Sequence, residues 1–194
     1  MNKKIICYCV ALLAACAFVL IPLPATDLII RVYFTDIVGS DCSLYYTTDF
    51  DGSFSENQRI ISDIDYDNMS VEFRLDGSLE NHITNLRLDF PVEEQLIGIK
   101  DITASSAGII RKSYNPCDFF ADENIAFTND ASVTLVHPRN RAYISTGNVD
   151  PFIGLSAPLI KQLQRHYSHL MLSRFFICAF IGSCYALSRK KLFT

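Results

Sequence analysis

Three aspartates in the sequence "SDIDYDN" have the type and spacing of a cation site. Asp63, Asp65 and Asp67 alternate along the chain, so an extended backbone projects three carboxylates to one side, and Ca²⁺ takes such oxygen ligands. The segment departs from the EF-hand pattern, because Asn68 replaces the turn glycine and Arg74 stands where the bidentate glutamate belongs. The pattern predicts either a structural Ca²⁺ site or a solvated acidic strand end.

Tyrosines in the central part of the chain have the chemistry of an aromatic platform for sugar rings. The residues predicted to contact glycan are Tyr45, Tyr46, Tyr66 and Tyr114. Phe119 and Phe120 are candidates to extend the platform. The chain contains no tryptophan, and the alternative is that these rings pack in the core or in turns.

Two of the seven cysteines, Cys42 and Cys117, lie outside the apolar end segments of the chain. In an oxidising compartment they would form one disulfide that closes a long loop and stabilises the fold by about 4 kcal/mol. The alternative is two separately buried thiols. The cysteine spacing does not match a zinc site.

The sequence contains no GxSxG nucleophile motif, no P-loop and no HExxH motif. His166 and His169 lie one helical turn apart without a third ligand nearby, which favours polar residues at a membrane interface over a metal site. Paired carboxylates for glycoside hydrolysis remain open, because the fold and not the spacing sets their separation. The protein is predicted to be non-catalytic, with an envelope hydrolase as the least favoured alternative.

Charge is segregated along the chain. All 21 acidic residues lie between Asp27 and Asp150, where nine lysines and arginines leave a net charge of −12. The other eight basic residues lie in the two flanks. An acidic centre repels phosphates, so nucleic acid is excluded as a partner. Basic flanks beside apolar runs are instead typical of contact with membrane lipid.

An uncharged apolar run covers residues 5–21. As a helix it rises about 25 Å, and residues 22–25 extend it toward the thickness of the hydrocarbon layer. Lys3 and Lys4 in front of it are typical of a cytoplasmic flank. We predict that residues 1–25 are a retained transmembrane helix.

Two alternatives remain for this leader. The sequence "LAAC", which ends at Cys16, resembles a bacterial lipobox and would give a lipoprotein lipidated at that cysteine, but an apolar run follows where a polar tether is usual. Simple secretion with a cut after Ala25 places Leu23 where a small residue is favoured. The continuing apolar run therefore favours the retained helix, with Cys16 unmodified inside it.

A second apolar run, residues 170–187, lies near the C-terminus and is closed by basic residues at 189–191. Arg174 stands near its outer end, where a long side chain can reach the headgroups. With both basic clusters inside, the positive-inside rule predicts an N-in, centre-out, C-in topology. The predicted organisation is a transmembrane helix (1–25), a β domain (26–150), a membrane-proximal helix (151–169) starting near Pro158, a second span (170–188) and a basic tail (189–194).

Short runs with apolar residues at every second position recur between residues 26 and 150, separated by Gly, Asn, Asp and Ser. In one of them Val71, Phe73 and Leu75 alternate with charged residues. The predicted strands are 28–34, 43–48, 58–63, 70–75, 84–90, 97–104, 108–113, 132–137 and 141–145. This pattern predicts a mainly β fold, a two-layer antiparallel β-sandwich with a jelly-roll-like arrangement.

Four segments taken in order resemble a known module: "SLYYTTDFDGSFSENQRI" (43–60), "VEFRLDG" (71–77), "ITNLRLDFP" (83–91) and "IGIKDITA" (97–104). The segments are similar to the extracytoplasmic β-sandwich that follows the first membrane helix in bacterial membrane proteins of cell-surface polysaccharide assembly. That resemblance implies a jelly-roll similar to carbohydrate-binding modules and a place in the bacterial cytoplasmic membrane.

The expected function is a membrane-anchored, extracytoplasmic module that binds or positions envelope glycan or a partner membrane protein such as a glycosyltransferase. The alternative is a small structural subunit of a transporter or glycosyltransferase complex, in which Ala179, Gly182 and Ser183 would let helices pack closely. Apart from the Ca²⁺ site, no cofactor is expected.

Overall fold

A computed structural model describes residues 27–48, 53–79, 82–106 and 110–165 of the 194-residue chain. Both predicted membrane spans lie outside the described residues, as do Cys16, His166 and His169. Within the described ranges, no helix has the length and apolar character needed to cross a membrane.

The described ranges contain eleven strands and two α-helices. In chain order they are β1 (Leu28–Asp36), β2 (Asp41–Thr47), β3 (Arg59–Asp63), β4 (Ser70–Leu75), β5 (Asn85–Asp89), β6 (Gln95–Ser106), β7 (Ile110–Tyr114), α1 (Pro116–Phe119), β8 (Ile125–Asn129), β9 (Ala131–Val136), β10 (Arg141–Thr146), β11 (Phe152–Leu155) and α2 (Ala157–Arg165). Nine of these strands, all except β8 and β11, overlap the strands predicted from the sequence and confirm those predictions.

The strands form two antiparallel sheets that pack as a sandwich. The six-stranded sheet has the order β4-β1-β6-β10-β9, with β7 paired to the second half of β6. The five-stranded sheet has the order β3-β2-β5-β11-β8. This architecture confirms the prediction of a mainly β fold with two antiparallel layers.

The core lies between the sheets and follows the period of two. Along β1, Leu28, Ile30, Val32 and Phe34 are buried, and the residues between them are half-buried. The other sheet contributes side chains such as Leu88, which is also buried. β1 and β5 therefore turn their apolar sides inward and leave their polar sides for the outer faces.

Four loops lie together at one end of the sandwich: residues 37–40, 64–69, 90–94 and 147–151. Each loop connects a strand of one sheet to a strand of the other, and the strand ends that border the loops pair with one another within each sheet, which places all four loops at the same end. Asp130, between β8 and β9, lies at the same end. We call these loops, Asp130 and the strand residues that border them the acidic end. At the opposite end, Leu28 begins β1 and Leu155 ends β11.

Sequence reasoning misses two strands, β8 and β11. The outward residues of β8 are exposed and its only half-buried residue is Ile125, so it lacks an alternating pattern. β11 is short, yet it lies between β5 and β8 in the five-stranded sheet. The sandwich therefore continues past Asp150, and α2 begins at Ala157, one residue before Pro158.

Candidate functional site

The candidate site lies on the outer face of the five-stranded sheet. Tyr45 on β2 pairs with Arg87 on β5, and Asp89, two residues further on, pairs with Phe152 on β11. Because side chains two residues apart on a strand share a face, these four side chains project to the same side. Adjacent strands therefore bring a guanidinium, a carboxylate and two aromatic rings together.

Arg87 lies at the centre of this group. Its Nε donates a hydrogen bond to Oδ1 of Asp89 at 2.8 Å, and its Nη2 donates to Oδ2 at 2.6 Å. The guanidinium carbon also lies 4.3 Å from the ring centroids of both Tyr45 and Phe152. A planar guanidinium can satisfy a carboxylate and stack on aromatic rings at once, which a lysine cannot do.

A chain of aromatic rings covers this ion pair. Phe54 lies 6.4 Å from Tyr45 and 6.2 Å from Phe127, and Phe127 lies 6.0 Å from Phe152, all measured between ring centroids. Gly154 makes this possible, since a Cβ at that position would overlap the ring of Phe127. Phe127 is 43% exposed, so the outer surface of the group is an open aromatic face.

Polar groups border the rings on the side of β3. The hydroxyl of Tyr45 donates to Oε1 of Glu56 at 2.8 Å, and Nη1 of Arg59 donates to Oε2 at 3.0 Å. Nε of Arg59 donates to the hydroxyl of Ser43 at 3.0 Å. The hydrogen bonds from Tyr45 and Arg59 lower the pKa of Glu56. Glu56 is therefore an ionised acceptor at neutral pH.

A pocket of about 480 Å³ adjoins this border and opens toward the acidic end. Its wall includes Tyr45, Glu56, Arg59, Asp89 and Asp150. Burial raises the pKa of Asp89 to about 6; the ion pair with Arg87 opposes this shift, and the nearby Asp150 adds to it. The pocket therefore presents carboxylates and a guanidinium, which are hydrogen-bonding groups for a polar ligand.

The four predicted glycan-contacting tyrosines do not share a surface. Tyr45 belongs to the candidate site, where it is 6% exposed. Tyr46 faces the opposite side of β2, because successive residues of a strand alternate. Tyr66 is exposed at the acidic end, where its hydroxyl donates to the carbonyl of Gly39. Tyr114 is buried against Phe119 at the end of β7, and burial raises its pKa to about 12.

The three aspartates of the predicted Ca²⁺ site have separate structural surroundings. Asp63 pairs with Asp41 across β3 and β2. Asp65 holds a turn, because its carboxylate accepts hydrogen bonds from the backbone and side-chain nitrogens of Asn68. Asp67 is exposed in the same turn. Among the described residues, no group of three or more potential ligands is placed to hold a metal ion.

The two central cysteines are free thiols in different parts of the sandwich. Cys42 is buried on β2, and burial raises the pKa of its thiol to about 12. Cys117 is buried in α1, where its sulfur donates to the carbonyl of Arg141 on β10 at 3.3 Å. The sequence left open a disulfide or two separately buried thiols for this pair. The structure shows two separately buried thiols.

Most residues of the candidate site escape sequence reasoning. Arg87 and Asp89 occupy the polar positions of an alternating strand, which predicts that both are exposed to solvent. Their i, i+2 spacing nevertheless indicates that they share one face of the strand, where they can form an ion pair. Phe127 and Phe152 lie on the two strands without a recognisable pattern, and Phe54 lies in a loop. The pairing of β5 with β11 and of β11 with β8 brings Arg87, Phe152 and Phe127 together.

Comparisons with models of protein families, with curated proteins and with solved structures find no match to this chain. The chemistry of the site itself therefore carries the functional argument.

Proposed function

We propose that this chain is a non-catalytic β-sandwich module of the bacterial cell envelope that binds glycan on the outer face of its five-stranded sheet. The observation that carries the proposal is the aromatic layer over Arg87 beside a polar pocket of about 480 Å³. Sugar rings offer an apolar face that packs on aromatic rings, and their hydroxyls hydrogen-bond to carboxylates and guanidinium groups.

The two kinds of group take different parts in this proposal. Phe127 and the half-buried Phe54 offer ring surface to a sugar, whereas Tyr45 lies beneath them and supports Arg87. Glu56 and Arg59 offer hydrogen bonds at the rim of the pocket. Because each ring is braced by its neighbour, little side-chain entropy is lost on binding.

Hydrolysis of the bound glycan is less well supported than binding. A general acid needs a protonated oxygen aimed at the leaving group. The pKa of Asp89 is raised to about 6, as such an acid requires, but both of its oxygens accept hydrogen bonds from Arg87. The cation of Arg87 favours the ionised form of this carboxyl and so opposes its use as a proton donor, and we therefore favour a binding role.

The proposal includes the membrane setting and the finer fold. We propose two spans in the bacterial cytoplasmic membrane, with the sandwich outside and both termini inside. The position of Leu28 and Leu155 at one end of the sandwich supports this, because the sequences beyond them lead to the two predicted spans. The repeated crossing of the chain between the sheets supports a jelly-roll similar to carbohydrate-binding modules.

The proposal is tested by titrating the full-length chain with envelope glycans. The protein is held in a detergent without a sugar headgroup, and fragments of peptidoglycan and of neutral and acidic surface polysaccharides are titrated by calorimetry. We expect one glycan class to bind and Phe127→Ala to weaken that binding by about fivefold or more, since an aromatic contact contributes about 1 kcal/mol.

Leu96→Ala is the matched control. Leu96 is 57% exposed on the six-stranded sheet, away from the rings, so its truncation removes a comparable apolar surface from the other face. Absence of binding to every fragment, or an equal loss of affinity in both variants, would contradict the proposal.

A further inference from the structure

Four apolar side chains are exposed on the loops of the acidic end. The exposed fractions are 55% for Val38, 51% for Tyr66, 60% for Val92 and 72% for Val149. These residues come from four different loops, which the strand registers bring to one end of the sandwich. Exposed apolar residues that converge in this way mark an interaction surface more often than residues scattered singly.

Hydrogen bonds hold the first three loops to one another. The backbone nitrogen of Val38 donates to Oε1 of Gln95 at 2.7 Å, and Nε2 of Gln95 donates back to the carbonyl of Val38 at 2.7 Å. The hydroxyl of Tyr66 donates to the carbonyl of Gly39. The loops that carry Val38, Tyr66 and Val92 are therefore tied at their bases.

The fourth loop is fixed in the same manner. The backbone nitrogen of Phe90 donates to the carbonyl of Pro151 at 3.0 Å, which joins this loop to the one carrying Val92. The backbone nitrogen of Val149 donates to Oδ2 of Asp130 at 2.6 Å. A surface that is ordered before a partner arrives loses less entropy on binding.

The charge around these apolar side chains is predominantly negative, although Arg59 lines the same pocket as Val92. Ten carboxylates lie in the loops or at the strand ends that border them, and no lysine or arginine occurs at these positions. They are Asp36, Asp41, Asp63, Asp65, Asp67, Asp89, Glu93, Glu94, Asp130 and Asp150. The charge of Asp89 is compensated by its ion pair with Arg87, which leaves nine carboxylates to act on a partner. Such a surface repels nucleic acid, anionic lipid and a second copy of itself, and it attracts a cationic surface.

We propose that the acidic end is the docking surface for a partner protein with a cationic, partly apolar surface. The carboxylates steer the partner and set its orientation, and the four apolar side chains are removed from water when contact is made. This inference rests on the loops and not on the aromatic face. Because Asp89, Val92 and Asp150 of the acidic end also line the pocket of the proposed glycan site, the test uses variants of residues outside that pocket.

The test uses the full-length chain in a neutral detergent and cytochrome c, a small cationic protein, as the probe. We expect binding at about 10 mM salt that is lost at about 500 mM salt, because screening shortens the reach of the charges. Asp67→Asn with Glu94→Gln should weaken binding about threefold more than Asp118→Asn with Glu123→Gln, which removes the same charge at the opposite end.

A second pair of variants separates apolar contact from charge alone. Val38→Ser with Val149→Ser leaves the charge unchanged and should weaken cytochrome c binding about threefold. All variants should keep the wild-type circular dichroism spectrum and urea midpoint, which shows that they remain folded. Absence of low-salt binding, equal effects of the two charge pairs, or no effect of the serine pair would overturn the proposal. Self-association abolished by the serine pair would assign the surface to a second copy instead.

Discussion

The outer faces of the two sheets carry the same kind of ion pair in different surroundings. On the six-stranded sheet, the side chains of Arg31 and Glu72 are 41% and 31% exposed. On the five-stranded sheet, those of Arg87 and Asp89 are 16% and 12% exposed. The first pair is a solvated contact of small net energy, whereas the second is enclosed by aromatic rings and is costly to break. Enclosure of the ion pair by aromatic rings therefore distinguishes the outer face of the five-stranded sheet from that of the six-stranded sheet, where the ion pair is exposed to solvent.

Removal of the enclosed arginine should have the largest effect. Arg87→Ala leaves the carboxyl of Asp89 buried without its partner and opens the aromatic layer, so we expect the free energy of unfolding to fall by about 3 kcal/mol. Arg31→Ala, the matched change on the other sheet, should cost less than about 1 kcal/mol. Urea unfolding followed by circular dichroism measures both values, and equal losses would remove the distinction between the two faces.

The second largest effect is expected in how the free energy of unfolding depends on pH. The pKa of Asp89 is raised to about 6 in the fold, so the folded state binds this proton more tightly than the unfolded state does. The resulting stabilisation is present below about pH 4 and is lost as the pH rises through about 6, by roughly 2 to 3 kcal/mol.

Urea unfolding of the wild type and of Asp89→Asn between pH 4 and pH 7 measures this difference. The wild type should lose stability relative to the variant across that range, because the asparagine cannot titrate. Parallel pH profiles for the two proteins would show that burial does not raise the pKa of Asp89.

Addition of one methyl group should have the smallest effect on stability and a selective effect on binding. Gly154→Ala pushes the ring of Phe127 off the sheet, which should cost about 1 kcal/mol and weaken glycan binding. Gly98→Ala on the six-stranded sheet meets the hydroxyl of Thr35, and its stability cost should leave glycan affinity unchanged. Thermal unfolding and calorimetry provide the two readouts. Unchanged glycan affinity in Gly154→Ala would contradict the proposal that the ring of Phe127 contacts glycan.

Strands with one apolar side are predictable from the sequence, because burial of that side imposes a period of two, as along Val71, Phe73 and Leu75. β8 escapes because its residues are largely exposed, and β11 because four residues are too few to show a period. The candidate site depends on these two strands. Local sequence therefore predicts the layers, whereas the site arises from pairings between distant parts of the chain.

The same limit explains why the four tyrosines predicted to contact glycan do not share one surface. Residue type alone makes Tyr45 and Tyr114 equivalent, but one lies under the aromatic face and the other is enclosed beside Phe119. Their positions follow from which neighbour each strand pairs with, and this is not encoded at short range. Tyr46 is the exception, since its position next to Tyr45 on a strand already places it on the opposite face.

The strand order also constrains how the protein folds. β1 pairs with β4 and β6, and β11 joins β5 to β8, so neither sheet can be completed from neighbouring stretches of chain. Pairings between distant segments slow folding to milliseconds or seconds, compared with microseconds for local helical folds. Phe152 and Gly154 belong to β11, the last strand in chain order among the described residues. The aromatic face is therefore complete only once residue 155 has left the ribosome, because a nascent chain paused before that point cannot pair β11 with β5 and β8.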